Sequence, residues 1–181
     1  MSLRLRLVPD PLPEVVRRRI VRALFRSTVD AFGAEMPDVR GWPSDRLLDA
    51  YAARSEELAR AVLDRPERRR HAASRLHANT ERMGRAVRRL LGIRSSADAM
   101  EAARRLYATI GIDLRGAGPD RVVVTRCSFA SRYAPEVCAV MAAADAGLFA
   151  GLTAGRRLSF VERISSGAPA CVATLSEEHA S

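Results

Sequence analysis

The sequence predicts an α+β protein, with helices in the first two thirds of the chain and strands in the last third. Two observations carry this prediction. Up to about residue 110, apolar residues recur at helical spacing, whereas after Arg121 they alternate or form short β-branched runs. Because the helices precede the strands instead of alternating with them, the pattern favours α+β over a doubly wound parallel sheet.

Two helices are predicted before residue 63. The first runs from Glu14 to Phe32, after a proline that suits a first helical turn and before Gly33, which suits a helix end. The second continues to Val62 at helical spacing, and we expect Ser44 to cap its N-terminus.

Two longer helical segments follow. The first is predicted over Pro66–Leu91 and ends at Gly92. The next is predicted over Ser96–Ile110, where Ser95 and Asp98 have the spacing of a capping-box variant.

The last third of the chain predicts a strand, a helix and a hairpin. Arg121–Thr125 is β-branched, Glu136–Leu152 is an alanine-rich helix, and residues 157–164 and 170–175 form the two strands of the hairpin. On straight alternation, Glu162 shares a face with Phe160 and is expected to be partly buried. We expect no sheet before Arg121.

The domain organisation follows from this division. Residues 1–115 are expected to form a helical region, and residues 116–181 an α+β unit that carries the cysteines. A length of 181 residues favours one compact domain formed by both regions.

The charge of the chain comes entirely from arginine. All 30 basic residues are Arg, against 21 acidic residues, which gives a net charge of +9. A GC-rich coding bias explains an arginine-rich, lysine-free composition, and the acidic residues are interspersed among the arginines. We therefore expect no specific nucleic-acid partner.

The composition also bears on location and assembly. With 48% hydrophobic and 28% charged residues, the chain is an ordinary globular sequence, which excludes wholesale disorder and collagen. The first residues are too charged for a signal peptide, and no membrane span is expected, so the predicted location is cytoplasmic. A homodimer through Trp42 and the amphipathic helices stays open, because that pattern is equally typical of core.

All three cysteines, Cys127, Cys138 and Cys171, lie in the last third of the chain. An odd number of cysteines in a cytoplasmic protein argues against a disulfide framework. The predicted elements place them at a strand end, a helix start and a neighbouring strand, which can converge. The dipole of the helix would favour the thiolate of Cys138. Asp145 lies on the same helix face, in apolar surroundings that suggest it is paired or functional.

Three interpretations of the cysteines stay open. They are inert core residues, since free cysteine is among the most buried residue types. Alternatively, they bind zinc, iron or an iron–sulfur cluster, which can act as a Lewis acid in non-redox chemistry. In the third interpretation, Cys138 is a nucleophile. Their spacing matches no standard zinc or ferredoxin signature.

Several short motifs occur together between Val124 and Leu175. They are Cys-Ser-Phe at 127–129, Pro-Glu-Val-Cys at 135–138, Asp145, and Gly-x-x-x-Cys at 167–171. In this combination the region resembles the L-2-amino-thiazoline-4-carboxylic acid hydrolase family and, more weakly, the C-terminal domain of the iron-dependent plant β-carotene isomerases. The resemblance implies a cysteine-built site and hydrolase-like or isomerase-like chemistry. The sequence departs from the family's Gly-Asp…Cys-Asp-Phe pattern at Ala168 and Val172, where acidic residues are expected, and at Ala173, where the pattern has Phe.

These observations predict a small-molecule enzyme of secondary or sulfur metabolism with a small organic substrate. Cys127, Cys138 and Cys171 would bind a metal ion (iron or zinc) or an iron–sulfur cluster, and Asp145 and Cys138 would be catalytic. The alternative is a non-enzymatic ligand-binding or regulatory module with core cysteines and no cofactor.

Overall fold

The computed structural model describes residues 2–177. The helices are α1 (Leu3–Arg6), α2 (Glu14–Ala31), α3 (Ser44–Arg60), α4 (Pro66–Leu91), α5 (Ser96–Ala108) and α6 (Pro135–Thr153). The strands are β1 (Ile112–Gly116), β2 (Arg121–Cys127), β3 (Arg157–Glu162) and β4 (Cys171–Ser176), and a short 3-10 helix, Ile164–Ser166, follows β3. Five helices precede all the strands, so the predicted α+β class is confirmed.

The helix ends depend on particular residues. Helix α4 stops at Gly92, whose φ of 63° is the left-handed conformation that glycine adopts most easily. The side chain of Ser95 accepts a hydrogen bond from the Asp98 amide, 3.1 Å away, so the predicted cap of α5 is confirmed.

The predicted cap by Ser44 is wrong, because Ser44 is already the first residue of α3 and Pro43 precedes it at the cap. The Ser44 hydroxyl instead donates to Glu14, 2.7 Å away, and its amide donates to the same carboxylate at 2.7 Å. Ser44 therefore joins the starts of α2 and α3.

The sheet is antiparallel throughout, in the order β1-β2-β4-β3. Strand β1 contradicts the expectation that no sheet occurs before Arg121, and it crosses the predicted boundary between residues 115 and 116. Its side chains alternate, with Ile112 and Leu114 buried and Asp113 and Arg115 exposed. A five-residue strand separated from α5 by only three residues gives a short alternating signal, so the sequence pattern does not predict it.

Glu162 is exposed, contrary to the expectation of partial burial. The register of β3 against β4 shifts between Phe160 and Glu162, so that Phe160 opposes Ala173 whereas Glu162 opposes Val172. This irregularity breaks the simple alternation on which the expectation depended.

Helix α6 is central to the fold and packs against α4, α3, α5 and β3. Its contact with α4 is made by glycines: a Cβ atom on Gly147 would lie 2.2 Å from the His77 carbonyl oxygen, and one on Gly151 would lie 2.3 Å from the Glu81 carbonyl oxygen. Gly84 on α4 faces α6 in the same way. The two backbones can approach closely only because these side chains are absent. One hydrophobic core therefore includes residues of both predicted regions.

Among residues 2–177, α6 is the one helix that is long and apolar enough to cross a membrane, with a mean hydropathy of 1.4. Core helices of soluble proteins meet the same criterion, and here Val137, Phe149 and Leu152 are buried inside the fold. The expectation that the chain has no membrane span remains a prediction.

Candidate functional site

Two adjoining cavities lie along α6. The larger, of about 100 Å³, lies among the helices, and the smaller, of about 60 Å³, lies between α6 and the sheet. Both are lined mainly by apolar side chains. The residues common to both linings are Tyr107, Ile112, Cys127, Cys138, Ala142 and Asp145. Three of the predicted site residues, Cys127, Cys138 and Asp145, therefore lie where the two cavities meet, whereas Cys171 lines the smaller cavity only.

Asp145 is half-buried, because part of its side chain lines these cavities while protein surrounds the rest. The Tyr107 hydroxyl donates a hydrogen bond of 2.6 Å to its Oδ1 atom, and within residues 2–177 no protein group donates to Oδ2. Burial raises the pKa of Asp145 to about 6, and the bond from Tyr107 and the charge of Arg163 offset part of that rise. The carboxyl group can therefore hold or release a proton near neutral pH.

Tyr107 positions this carboxylate from α5. The side chain is 4% exposed, and its ring lies 6.1 Å from the ring of Phe149 on α6. Burial and the neighbouring negative charge of Asp145 raise the pKa of Tyr107 well above its usual value. The hydroxyl thus stays protonated and acts as a donor.

Aromatic side chains form one wall of the larger cavity. Phe129 stacks on Tyr133 with 5.3 Å between ring centroids and meets Tyr51 edge-on at 5.7 Å. The Tyr133 hydroxyl lies 2.5 Å from Ser55 Oγ, so its polar end is satisfied by α3. This wall presents mainly ring surface to the cavity.

The three cysteines line the smaller cavity together, as the predicted convergence of their elements required. All are free thiols. Burial raises the pKa of Cys127 to about 11, and it raises the pKa values of Cys138 and Cys171 as well. The expected lowering at Cys138 is thus reversed, because desolvation outweighs the helix N-terminus.

The predicted metal site concerns the same three thiols. Within the described part of the chain, no group of three or more His, Cys, Asp or Glu side chains could hold a metal ion. The Sγ atom of Cys171 accepts a hydrogen bond from the Ile164 amide at 3.3 Å, a contact typical of a packed thiol. A metal or cluster bound by Cys127, Cys138 and Cys171 stays a prediction.

Arg163 brings a positive charge to the smaller cavity from the segment that follows β3. Its guanidinium carbon lies 5.2 Å from the ring centroid of Phe160. The Nε atom is buried and has no hydrogen-bond partner, and no described carboxylate lies within 4.0 Å of the guanidinium. A buried donor of this kind can bind an anionic group of a ligand.

Two of these residues received no role from the sequence. Tyr107 belongs to an ordinary amphipathic helix and meets Asp145 only in the tertiary structure. Arg163 is one arginine among 30, so the sequence carries no signal that distinguishes it from the others.

Comparisons of the chain with family models, with curated proteins and with solved structures found no match. The resemblance to the thiazoline-carboxylic acid hydrolases therefore stays a prediction that depends on the motifs alone.

Proposed function

We propose that this protein is a small-molecule enzyme, hydrolase-like or isomerase-like, in which Asp145 transfers a proton to or from a substrate held in the cavities beside α6. The observation that carries the proposal is the buried Asp145 carboxyl group, held by Tyr107 where the two cavities meet. Placing a carboxyl group in apolar surroundings costs stability, and such costs are typical of functional sites.

The proposed chemistry is general acid–base catalysis. A group with a pKa of about 6 is present in both protonation states near neutral pH, so it can accept a proton in one step and return it in the next. Since Tyr107 occupies Oδ1, the Oδ2 atom is the one that would exchange the proton with the substrate.

The cavities also favour a class of substrate. Their combined size suits a molecule of roughly six to ten non-hydrogen atoms, since an apolar cavity of about 150 Å³ holds one benzene. The unpartnered Nε of Arg163 favours a negatively charged group at one end of that molecule. A small organic acid meets both requirements, and the family resemblance implies a substrate of the same kind.

A second candidate function is a non-enzymatic ligand-binding module. Its support is the raised pKa of all three thiols, which keeps them protonated at neutral pH and so makes them poor nucleophiles. In that case the cysteines are part of an apolar ligand wall, and Asp145 contributes a hydrogen bond only.

One experiment separates these functions. A panel of small carboxylic acids and their neutral amides is screened by thermal shift, and each compound that stabilises the protein is followed by NMR for chemical change. The enzyme proposal expects turnover by the wild type and binding without turnover by Asp145→Asn. Binding with no conversion of any ligand would favour the non-enzymatic ligand-binding module.

The cysteine site has its own test. Purified protein is analysed for iron and zinc and for visible absorption, alongside the Cys127→Ser variant. Bound metal that disappears in the variant would support the predicted metal or cluster site. Metal-free, colourless protein that still turns over a substrate would place the chemistry on Asp145 alone.

A further inference from the structure

A surface patch at the N-terminal end of the described chain is unlike the rest of the exterior. Of the five large hydrophobic side chains that are exposed within residues 2–177, three belong to it: Leu3, Leu7 and Leu90, which are 73%, 75% and 70% exposed. Leu3 begins α1 and Leu7 caps its C-terminus with a helical backbone conformation, so the two side chains, four residues apart, share one face. We call these three side chains the leucine patch.

A buried leucine and several hydrogen bonds hold the segment that carries Leu3 and Leu7 against the rest of the protein. Leu5, between the two exposed leucines, is fully buried, and Arg105 donates hydrogen bonds to the carbonyl oxygens of Leu5 and Val8 at 3.1 and 2.6 Å. Arg4 donates to the Leu90 carbonyl at 3.2 Å, which joins α1 to the end of α4. The leucines therefore face solvent because of the fold and not because the segment lacks contacts.

The surroundings of the leucine patch are basic. Arg4, Arg6, Arg89 and Arg94 are exposed around it, and none of them forms an ion pair with a described residue. Other exposed arginines, such as Arg18 and Arg19 on α2, likewise form no ion pair with a described residue, so the exposed leucines and not the charge alone distinguish this surface. The patch thus combines uncovered leucines with uncompensated positive charge.

We propose that the leucine patch docks on an anionic phospholipid surface. The arginines would meet lipid phosphates, and the leucines would enter the boundary between headgroups and acyl chains, as in other peripheral membrane proteins. A second copy of the chain fits less well, because a symmetric contact would bring the same four arginines face to face. A nucleic acid would satisfy the arginines but would leave the leucines in water.

The test is co-sedimentation of the whole protein with phosphatidylcholine vesicles, with and without phosphatidylglycerol. We expect binding to the mixed vesicles alone, weakened by salt. Leu3→Ser/Leu7→Ser should lower the vesicle affinity about tenfold or more, since inserted leucines supply the apolar part of the binding free energy. Val161→Ser is the matched control, because Val161 is 68% exposed on the edge strand β3, and it should bind like the wild type.

A second variant tests the charges. Arg6→Gln/Arg94→Gln should also lose affinity for the mixed vesicles while the thermal unfolding midpoint stays unchanged. The proposal is overturned if the wild type does not sediment with mixed vesicles or if the leucine variant binds as well as the wild type. It is likewise overturned if sedimentation velocity without lipid shows a dimer that the leucine variant abolishes.

Discussion

The two faces of α6 differ in how tightly they are packed. Toward α4, the helix presents Gly147 and Gly151, and the backbones touch with no room for a methyl group. Toward the sheet and α5, it presents Cys138, Ala142 and Asp145, and these side chains border two cavities. One face is as tightly packed as a protein interior allows, whereas the other leaves space beside a buried carboxyl group.

The difference indicates how the site is held in place. A carboxyl group in an apolar cavity destabilises the fold, and it keeps its position only if its helix cannot move. The glycine contact with α4 holds α6 in place on one face. On the cavity face, the hydrogen bond from Tyr107 then holds the Asp145 carboxylate.

The largest expected effect is on the glycine face. Gly147→Ala should lower the free energy of unfolding by about 3 kcal/mol or more, because the added Cβ would lie 2.2 Å from a backbone oxygen of α4. Urea unfolding measures the change. The matched control is Gly116→Ala, where the new methyl group meets only the flexible side chain of Met100 and the change should be small. Equal effects of the two substitutions would contradict the described packing.

On the cavity face of α6, substitution of Asp145 should raise the free energy of unfolding instead of lowering it. Because the pKa of Asp145 is higher in the folded chain than its ordinary value of 3.8, the folded state binds the proton more tightly, and stability falls as the pH rises from about 4 to about 6. Asp145→Asn removes this loss and should stabilise the protein by about 3 kcal/mol at pH 8.

At pH 4 the same substitution should have little effect, since the wild-type carboxyl group is then neutral. Urea unfolding at both pH values checks the prediction. A destabilised Asp145→Asn variant at pH 8 would mean that the ionised carboxylate is well solvated or paired.

Tyr107→Phe should have a smaller effect that depends on pH. Losing the hydrogen bond to the ionised carboxylate should cost about 2 kcal/mol at pH 8 and less at pH 4, where the partner is neutral. Because that bond lowers the pKa of Asp145, the variant should also shift the pH dependence of stability upward. An equal loss at both pH values would assign Tyr107 to packing alone.

The smallest effect should occur at Glu162. Its side chain is exposed after the register shift in β3, so Glu162→Gln should change stability by less than about 0.5 kcal/mol. Equilibrium unfolding in urea measures this directly. A substantial loss would place Glu162 on the buried face, as simple alternation had suggested.

The fold was predictable where one pattern extended over many residues. Helices α2 to α5 follow from apolar spacing and from the residues at their ends, α6 follows from its alanine content and the proline before it, and the hairpin follows from alternation. Strand β1 and the position of Glu162 were missed because each depends on pairing with another strand, which a local pattern does not contain.

The candidate site was predictable to the same extent. Asp145 and the cysteines stood out because a carboxyl group in an apolar helix and cysteines in one region are unusual. The contribution of Tyr107 depends on a contact across 38 positions of the chain, and that of Arg163 depends on a missing partner. Both are properties of the tertiary structure.

The central claim is that Asp145 exchanges a proton near neutral pH inside the cavity. The direct measurement is a titration of the Asp145 side-chain carboxyl carbon by ¹³C NMR, with Asp145→Asn used to identify the resonance. We expect a midpoint of about 6, raised above the ordinary value of 3.8 by burial. A midpoint at or below the ordinary value would show a solvated or ion-paired carboxylate and would rule out proton exchange by Asp145 near neutral pH.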